Sequence, residues 1–474
     1  MREFEIRAQH LLEKYQVPGS IVAIAQNGKI MYEKVFGYRN IEKLEPVNRH
    51  TVFGLASLTK SFTCAALMQL VEKGKLDLNT PVITYLPHFS IKNNSDVNKI
   101  TVFHFMTHSS GLPPLPSLDY AMRRKRNDET KVDYLEQEAK QLTTYDELMR
   151  FISESEVELV DQPGKLFSYS NDAYGLLGAI IEHVSGMSYE QYVLEYIIKP
   201  SGMEHTNFTI EDYKEYENIT ACYEYIEKEP QNEIYVVTDW WDAPPMRATG
   251  FLKSTVHDMM TYTSIFLKKG VVNGTRILSE ASVNLMLHPH MKKNALHYYG
   301  FGFTITPDYF GKTLIDHGGS LQSISAKLAM IPEDGISAII LSNLSDFPAS
   351  RMMELCLNAH YKRDLNAHYL AYEKYDVKSS TLVVYEGKYQ SGEGMDIVIE
   401  ILHDSFIFRY KGKEYPTTFI REHIFLALID DVTEPVEMIM DKDGTAKAIS
   451  IFHRIVPKVQ FKRDDHIASI ETES

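Results

Sequence analysis

Between Phe62 and Val71 the chain reads FTCAALMQLV, apolar on every side of a helix except at Thr63 and Gln69. A helix of that kind has no face to give to water, so further layers of structure must bury it all round. It is also far too short to cross a bilayer, and no other segment approaches the roughly 18 apolar residues that a span needs. Gly74 ends it, as the usual left-handed residue beyond the last turn. Packing on all sides holds the start of this helix rigid. That start carries ASLTKSFT, residues 56–63, which sets Ser57 and Lys60 three apart on one face.

The 474 residues exceed the usual size of one hydrophobic core, so two domains are expected, one of them large. With 44% hydrophobic and 24% charged residues the balance is that of a soluble globular protein. A formal net charge of -15 argues against nucleic acid or an anionic membrane as partner, because both call for a clustered positive field. The one basic run, Arg123 to Arg126, is followed by Asp128, Glu129, Asp133, Glu136 and Glu138 and reads as a solvated face. Cys64, Cys222 and Cys356 are an odd, scattered set without CxxC spacing, which indicates neither a disulfide framework nor a zinc site and suits the cytoplasm. MREFEIRAQHLLEKYQ reads as an amphipathic helix with Phe4, Ile6, Leu11 and Leu12 on its apolar face, and it lacks the apolar core of a signal peptide. The sequon at Asn207 then has no role.

GSIVAIAQ and KIMYEKVFGY flank Asn27-Gly28 and read as a β-hairpin. Residues 113–145 read as a polar insertion over the surface. In PGKLFSYSNDAYGLLGAIIEHVSG the pattern is a turn, a short extended piece and a helix from about Asp172 to Ser185, with Asn171 as N-cap and Gly186 beyond the end. Between 300 and 345 short β-like runs follow one another, as in neighbouring antiparallel strands. From Leu382 onward seven or eight short strands with polar turns predict a separate small β-barrel or sandwich. The division expected is an α+β domain over 1–370, an all-β barrel over 378–464 and a disordered tail over 465–474. In that division the C-terminal part governs access or assembly and adds nothing to the chemistry.

A serine hydroxyl needs a base within hydrogen-bond reach before it acts as a nucleophile. Lys60 can be that base, because an amine held among apolar groups loses its proton readily. The helix start adds free backbone N–H groups that suit an oxyanion. By composition a Ser followed three residues later by a Lys arises roughly once or twice in a chain of this size, so other residues must decide. Tyr169, in YSN, precedes a helix, where a phenol can exchange a proton with the nucleophile and leaving group while Asn171 holds the lysine and a substrate amide. His317-Gly318-Gly319 lies in a β-like run whose glycines would let substrate approach the backbone. His288 and His290 lack further metal ligands at suitable spacing. Asp239 to Asp242, DWWD, reads as a surface loop, or as a loop whose tryptophans line a cleft.

With SxxK at Ser57, YxN at Tyr169 and HxG at His317 in that order, and with ITVFHFMTHSSGLP, ATGFLKSTVHDMM and YYGFGF between them, the chain from about 15 to 350 resembles the β-lactamase-related family of penicillin-recognising serine hydrolases. The resemblance implies an antiparallel sheet flanked by helices, an all-helical region, and an active site between them. It makes Ser57 the acylated nucleophile, Lys60 and Tyr169 the proton-transfer pair and Asn171 a positioning residue. His317 then stands where classical members carry the lysine of KTG, and the N–H groups of Ser57 and Ser320 form the oxyanion hole. Substrate would pack against Asn171, His317, Gly319 and Ser320. A histidine in that place charges only near or below pH 6.5, which favours peptide or ester substrates over penicillin-like anions and predicts a Michaelis constant for anionic substrates that falls from pH 8 to 6. Ser320, where many relatives have a second glycine, would narrow the cleft. The C-terminal strands resemble the lipocalin-like module of cytosolic peptidases that act on peptides containing D-amino acids. The function implied is a serine hydrolase for small peptides or esters, without metal or organic cofactor, with a homo-oligomer allowed. A β-lactamase, a D-alanyl-D-alanine carboxypeptidase and a penicillin-binding sensor that does not turn over are the alternatives.

Overall fold

The structure, a computed structural model, describes residues 1–92, 94–122, 141–226, 233–237, 240–370, 372–403 and 405–459. The expected basic face at 123–126, most of the polar insertion and the tail lie outside the described residues. The N-terminal hairpin forms as expected. Asn27 and Gly28 both take positive φ, 54° and 83°, the backbone that joins strands Gly19–Gln26 and Lys29–Asn40 through two residues.

These two strands complete a sheet begun by the far end of the same domain. Its nine strands run Met291–Lys292, Tyr298–Tyr299, Thr304–Thr306, Leu314–Leu321, Ile324–Ile331, Ile336–Ser342, Gly19–Gln26, Lys29–Asn40 and Glu45–Pro46. Gly19–Gln26 pairs antiparallel with Ile336–Ser342, Ser20 facing Ser342 and Gln26 facing Ile336. Both central strands are almost wholly buried, so both faces of the sheet are covered. Val22, Ile24 and Ile340 pack on Phe4, Ala8, Leu12, Met352 and Cys356 of the helices Arg2–Lys14 and Ala349–His360. Ile21, Ala23, Ile339 and Leu341 face the larger core that contains Phe62, Leu67 and Met259. The buried stripe of the first helix is Phe4, Ala8 and Leu12, spaced by four, which leaves Ile6 51% exposed and corrects the stripe expected for it.

The apolar run forms helix Thr59–Glu72, in which every residue from Thr59 to Leu70 is buried. Phe62 stacks on Tyr262 of helix Val256–Leu267, ring centroids 3.6 Å apart. Gly74 follows with φ of 66°. Helix Asn171–Ser185 ends on left-handed Gly186, as expected, but its N-cap is Ser170, whose Oγ accepts the Ala173 N–H. That corrects the cap assigned to Asn171. With Ser170 closing the helix end, the Asn171 side chain is released for other partners.

After the one-turn helix Ser379–Val383 the C-terminal part is a single antiparallel sheet. Its order is Lys413–Glu414, Ser405–Tyr410, Asp396–Leu402, Gly387–Gln390, Arg454–Val459, Ala446–Ile451, Val432–Met440, Ile424–Ile429 and Thr417–Arg421. It has its own core around Tyr385, Tyr389, Phe408, Phe425, Val436 and Val456. The expected barrel is not closed. The two outer strands follow each other in the chain across Tyr415 and Pro416, yet among the described residues no ladder joins them, and the proline has no N–H to give to one.

Candidate active site

From Thr51 to Leu70 every residue is buried except Ser57, which is partly exposed. It sits in a 3-10 turn, Ala56–Leu58, that leads into the apolar helix. Ala56 holds φ at 45°, a left-handed backbone that a residue with a Cβ adopts only under strain. Strand Leu314–Leu321 is pressed onto this turn. A Cβ on Gly319 would lie 2.3 Å from the Leu55 carbonyl oxygen and 3.3 Å from the Ala56 side chain. A Cβ on Gly250 would lie 3.3 Å from the Ala56 backbone. The two glycines allow close packing of the protein on itself, which differs from the substrate approach expected of Gly319. Gly318 faces open space. Ser57, Asn171, Gly250, Ser320 and Leu321 line the cleft that results.

Lys60 is fully buried beneath Ser57. Its Nζ lies 3.1 Å from Ser57 Oγ, 2.9 Å from Asn171 Oδ1 and 2.8 Å from the Thr249 carbonyl oxygen. Burial, then the nearby Arg454 charge, holds its pKa well below the ordinary lysine value. The three partners match the three donors of a charged amine, and in the neutral amine the Ser57 contact reverses. Two N–H bonds go to the two acceptors, Asn171 and Thr249, and one lone pair remains for the Ser57 hydroxyl proton. The Tyr169 phenol is the other group that interacts with the Ser57 hydroxyl. Its pKa is raised by burial, against the pull of the Ser57 bond and of Arg454, so it stays protonated. His108 stacks on the Tyr169 ring at 4.1 Å, and its Nδ1 accepts the Ser170 N–H. This set holds one group ready to take a proton and one ready to give it, both beside a single hydroxyl.

His317 departs from expectation. It faces inward, with Nδ1 donating to its neighbour's carbonyl, Gly318 O, at 2.6 Å and Nε2 accepting from Tyr299 Oη at 3.0 Å. Both ring nitrogens are thus used by a neutral imidazole. Burial pushes its pKa down to about 3, so it does not charge between pH 8 and 6 and the predicted fall in Michaelis constant is withdrawn. The expected result is a Michaelis constant for anionic substrates that is flat from pH 8 to 6. A fall that disappears in His317→Gln would reverse this. Because unfolded histidine takes up a proton near pH 6.5 and folded His317 does not, folding stability should drop as pH falls below 6.5, which pH-dependent melting measures.

Of the residues predicted from sequence, Ser57, Lys60, Tyr169 and Asn171 come together, Ser320 joins them in the cleft, Gly319 packs its strand onto the Ser57 turn, and His317 bonds Tyr299. Trp240 packs against Gly54, Asp242 pairs with Arg247 at 2.6 Å, and neither is among the residues that line the cleft, while Asp239 lies outside the described residues. His290 stacks on Phe301. No group of three or more His, Cys, Asp or Glu among the described residues is placed to hold a metal ion. Sequence reasoning missed Thr249, His108 and Tyr299, although each lies in a stretch quoted for the resemblance. It also missed His453 and Arg454, for which no local signal exists.

A family model described as beta-lactamase matches residues 4–356. Protein flp of Staphylococcus aureus (strain MW2) is 26% identical over 385 residues, 80% of this chain and 69% of that protein. Penicillin-binding protein 4* of Bacillus subtilis (strain 168) is 24% identical over 339 residues, 70% of this chain and 69% of its own length. The solved octameric penicillin-binding protein homologue from Pyrococcus abyssi is 27% identical, with a TM-score of 0.67 over 96% of this chain and 99% of that one. The SurE structure, at 18% identity and a TM-score of 0.69, shares the fold over 97% of this chain and 98% of its own. No helix among the described residues is long and apolar enough to cross a membrane. A family match over most of the chain, together with this fold, shows that the chain belongs to the beta-lactamase family of serine hydrolases and their penicillin-binding relatives.

Proposed function

We propose that the chain is a serine hydrolase that cleaves small peptides, including those with D-amino acids, or esters through an acyl-enzyme on Ser57. Ser57 Oγ attacks the carbonyl carbon while its proton passes to the neutral Lys60 amine. The N–H groups of Ser57 and Ser320 receive the oxyanion, and Tyr169 protonates the leaving amine or alcohol. Water then enters by the reverse sequence, releasing the acid and freeing Ser57. Asn171 holds Lys60 in place, and His317 and Gly319 support the strand that carries Ser320. No step calls for a metal or an organic cofactor. The observation that carries this reading is that one partly exposed hydroxyl, in an otherwise buried stretch, lies 3.1 Å from a buried amine.

We place the catalytic domain at 1–370 and the C-terminal domain at 378–464. The buried thiols of Cys64, Cys222 and Cys356 support a cytoplasmic location, and the octameric relative supports a homo-oligomer. The names of two penicillin-binding relatives favour β-lactam acylation without turnover as a second reading. A neutral His317 speaks against it, since no charge is added for the penicillin carboxylate.

An activated acyl probe tests the proposal. Its mass is expected on the tryptic peptide His50–Lys60, with release of the acyl group and steady turnover. Labelling confined to another peptide would overturn the assignment to Ser57. A burst of one equivalent without turnover, across D-peptides, L-peptides and short-chain esters, would favour the second reading.

A further inference from the structure

Two hairpin turns of the C-terminal sheet reach the catalytic domain. Phe452 and His453, with φ of 47° and 68°, form the two-residue turn between Ala446–Ile451 and Arg454–Val459. The His453 carbonyl accepts the Tyr169 N–H at 2.9 Å. The Arg454 guanidinium carbon lies 4.5 Å from the Tyr169 ring centroid. The turn before Asp396–Leu402 brings Gly392, where a Cβ would stand 2.9 Å from the Pro114 carbonyl oxygen, and Glu393, which meets Arg454 Nε at 2.9 Å. The side chains of Arg454 and Glu393 are only 12% and 19% exposed. The C-terminal part thus touches the candidate site, a contact that the expectation of no part in the chemistry did not include.

We infer that Arg454 is a positioning residue for proton transfer at Ser57, whose fixed charge, moderated by Glu393, favours the proton-free forms of Lys60 and Tyr169. The inference rests on the acyl-enzyme reading above. Arginine keeps its charge at any working pH, and a buried ion pair adds little net stability, so its place at this ring has a use other than folding. A cation against a phenol face stabilises the phenolate and opposes a second cation nearby. The first effect eases proton donation by Tyr169 to the leaving group, and the second keeps Lys60 free to take the Ser57 proton. Arg454 follows burial among the influences that lower Lys60, and it opposes the rise of Tyr169.

Among the other described groups, Lys293, which acts on His108, His317 and His453, is lowered by burial to about 8, and Asp119, near Glu393, is raised by burial. Cys64 is pushed up to about 12 by burial, and His317 down to about 3. Burial lowers His108 and His453 and raises Tyr174 and Tyr299. Asp172, bonded to the Ser117 hydroxyl, is raised by burial to about 7 and also lies near Glu393 and Arg454.

The test is the pH profile of acylation by a neutral ester, p-nitrophenyl acetate, in the full-length protein. In Arg454→Gln the acidic limb should move up by about one pH unit, with a loss that approaches tenfold below the limb and fades above it. Arg454→Lys should restore it. Glu393→Gln, which unmasks the charge, should move the limb down. The Michaelis constant should stay constant throughout, and Asp172→Asn should keep the limb. A merely structural role would lower activity in Arg454→Gln and Glu393→Gln alike with the limb unmoved, and would overturn the inference. So would a limb that disappears in Asp172→Asn, or an effect confined to the Michaelis constant. A wild-type protein not acylated at Ser57 removes the functional reading itself. Acylation with a limb indifferent to Arg454 removes only this inference.

Discussion

Lys60→Met is expected to lower the acylation rate at Ser57 by on the order of a thousandfold while leaving the fold intact. Methionine fills nearly the same volume, so no cavity opens. It removes the lone pair 3.1 Å from Ser57 Oγ, and no other neutral base stands within that reach, since Tyr169 is held protonated by burial. The stability change is small because two terms oppose. Loss of the amine leaves Asn171 Oδ1 and the Thr249 carbonyl without their donor, at about 1–3 kcal/mol each. It also relieves the burial of an ionisable amine, a penalty of similar size. The melting temperature should therefore stay within about 5 °C of wild type. Stopped-flow acylation with an activated ester, beside calorimetry, checks both halves. A well-folded Lys60→Met protein that acylates at the wild-type rate would place the base elsewhere.

Gly319→Val should be the most damaging single change on the strand beside the cleft, with a loss of about 3 kcal/mol or more in stability and at least a hundredfold in acylation. Its Cβ alone would stand 2.3 Å from Leu55 O, closer than any real contact, and neither partner has room to yield. The strand is held on both sides by ladders, to Thr304–Thr306 and Ile324–Ile331, and the next residue but one, Ser57, follows an Ala56 already in a left-handed backbone. Relief moves the turn that carries Ser57. Gly318→Ala is the control: nothing lies within 4 Å of its Cβ position, and its stability should change by about 0.5 kcal/mol or less. Denaturant unfolding of the pair measures the contrast, and equal losses would mean that the close approach at Gly319 has no special weight.

Much of the domain is legible locally. The Asn27-Gly28 turn, the apolar helix with Gly74 past its end, and Gly186 after helix Asn171–Ser185 each depend on residues a few positions apart. The SxxK spacing belongs to the same class, because the turn into a helix puts the two side chains on one face wherever that helix is packed. Errors arise where two local solutions compete. Asn171 and Ser170 are both good caps, and only the position of Lys60, 111 residues earlier in the chain, decides that Ser170 caps and Asn171 reaches across. The C-terminal strands were legible as strands, but whether the sheet closes depends on pairing between its two outer members, which no strand pattern records.

By itself, then, the sequence determined the elements, their burial and the identity of the groups around Ser57, since hydrophobic period and turn chemistry act over short stretches of chain. Tertiary structure alone decided the charge states. His317 is neutral because strand Leu314–Leu321 turns it inward against Tyr299 and buries it, and the Lys60 pKa is held well below its ordinary value because the surrounding protein excludes water and Arg454 stands nearby. A pKa is set by solvent exclusion and by charges within a few ångströms. Arg454 lies 285 residues beyond Tyr169 in sequence and 4.5 Å from its ring in the fold, and only the approach of a C-terminal hairpin turn to Tyr169 brings that charge to the site.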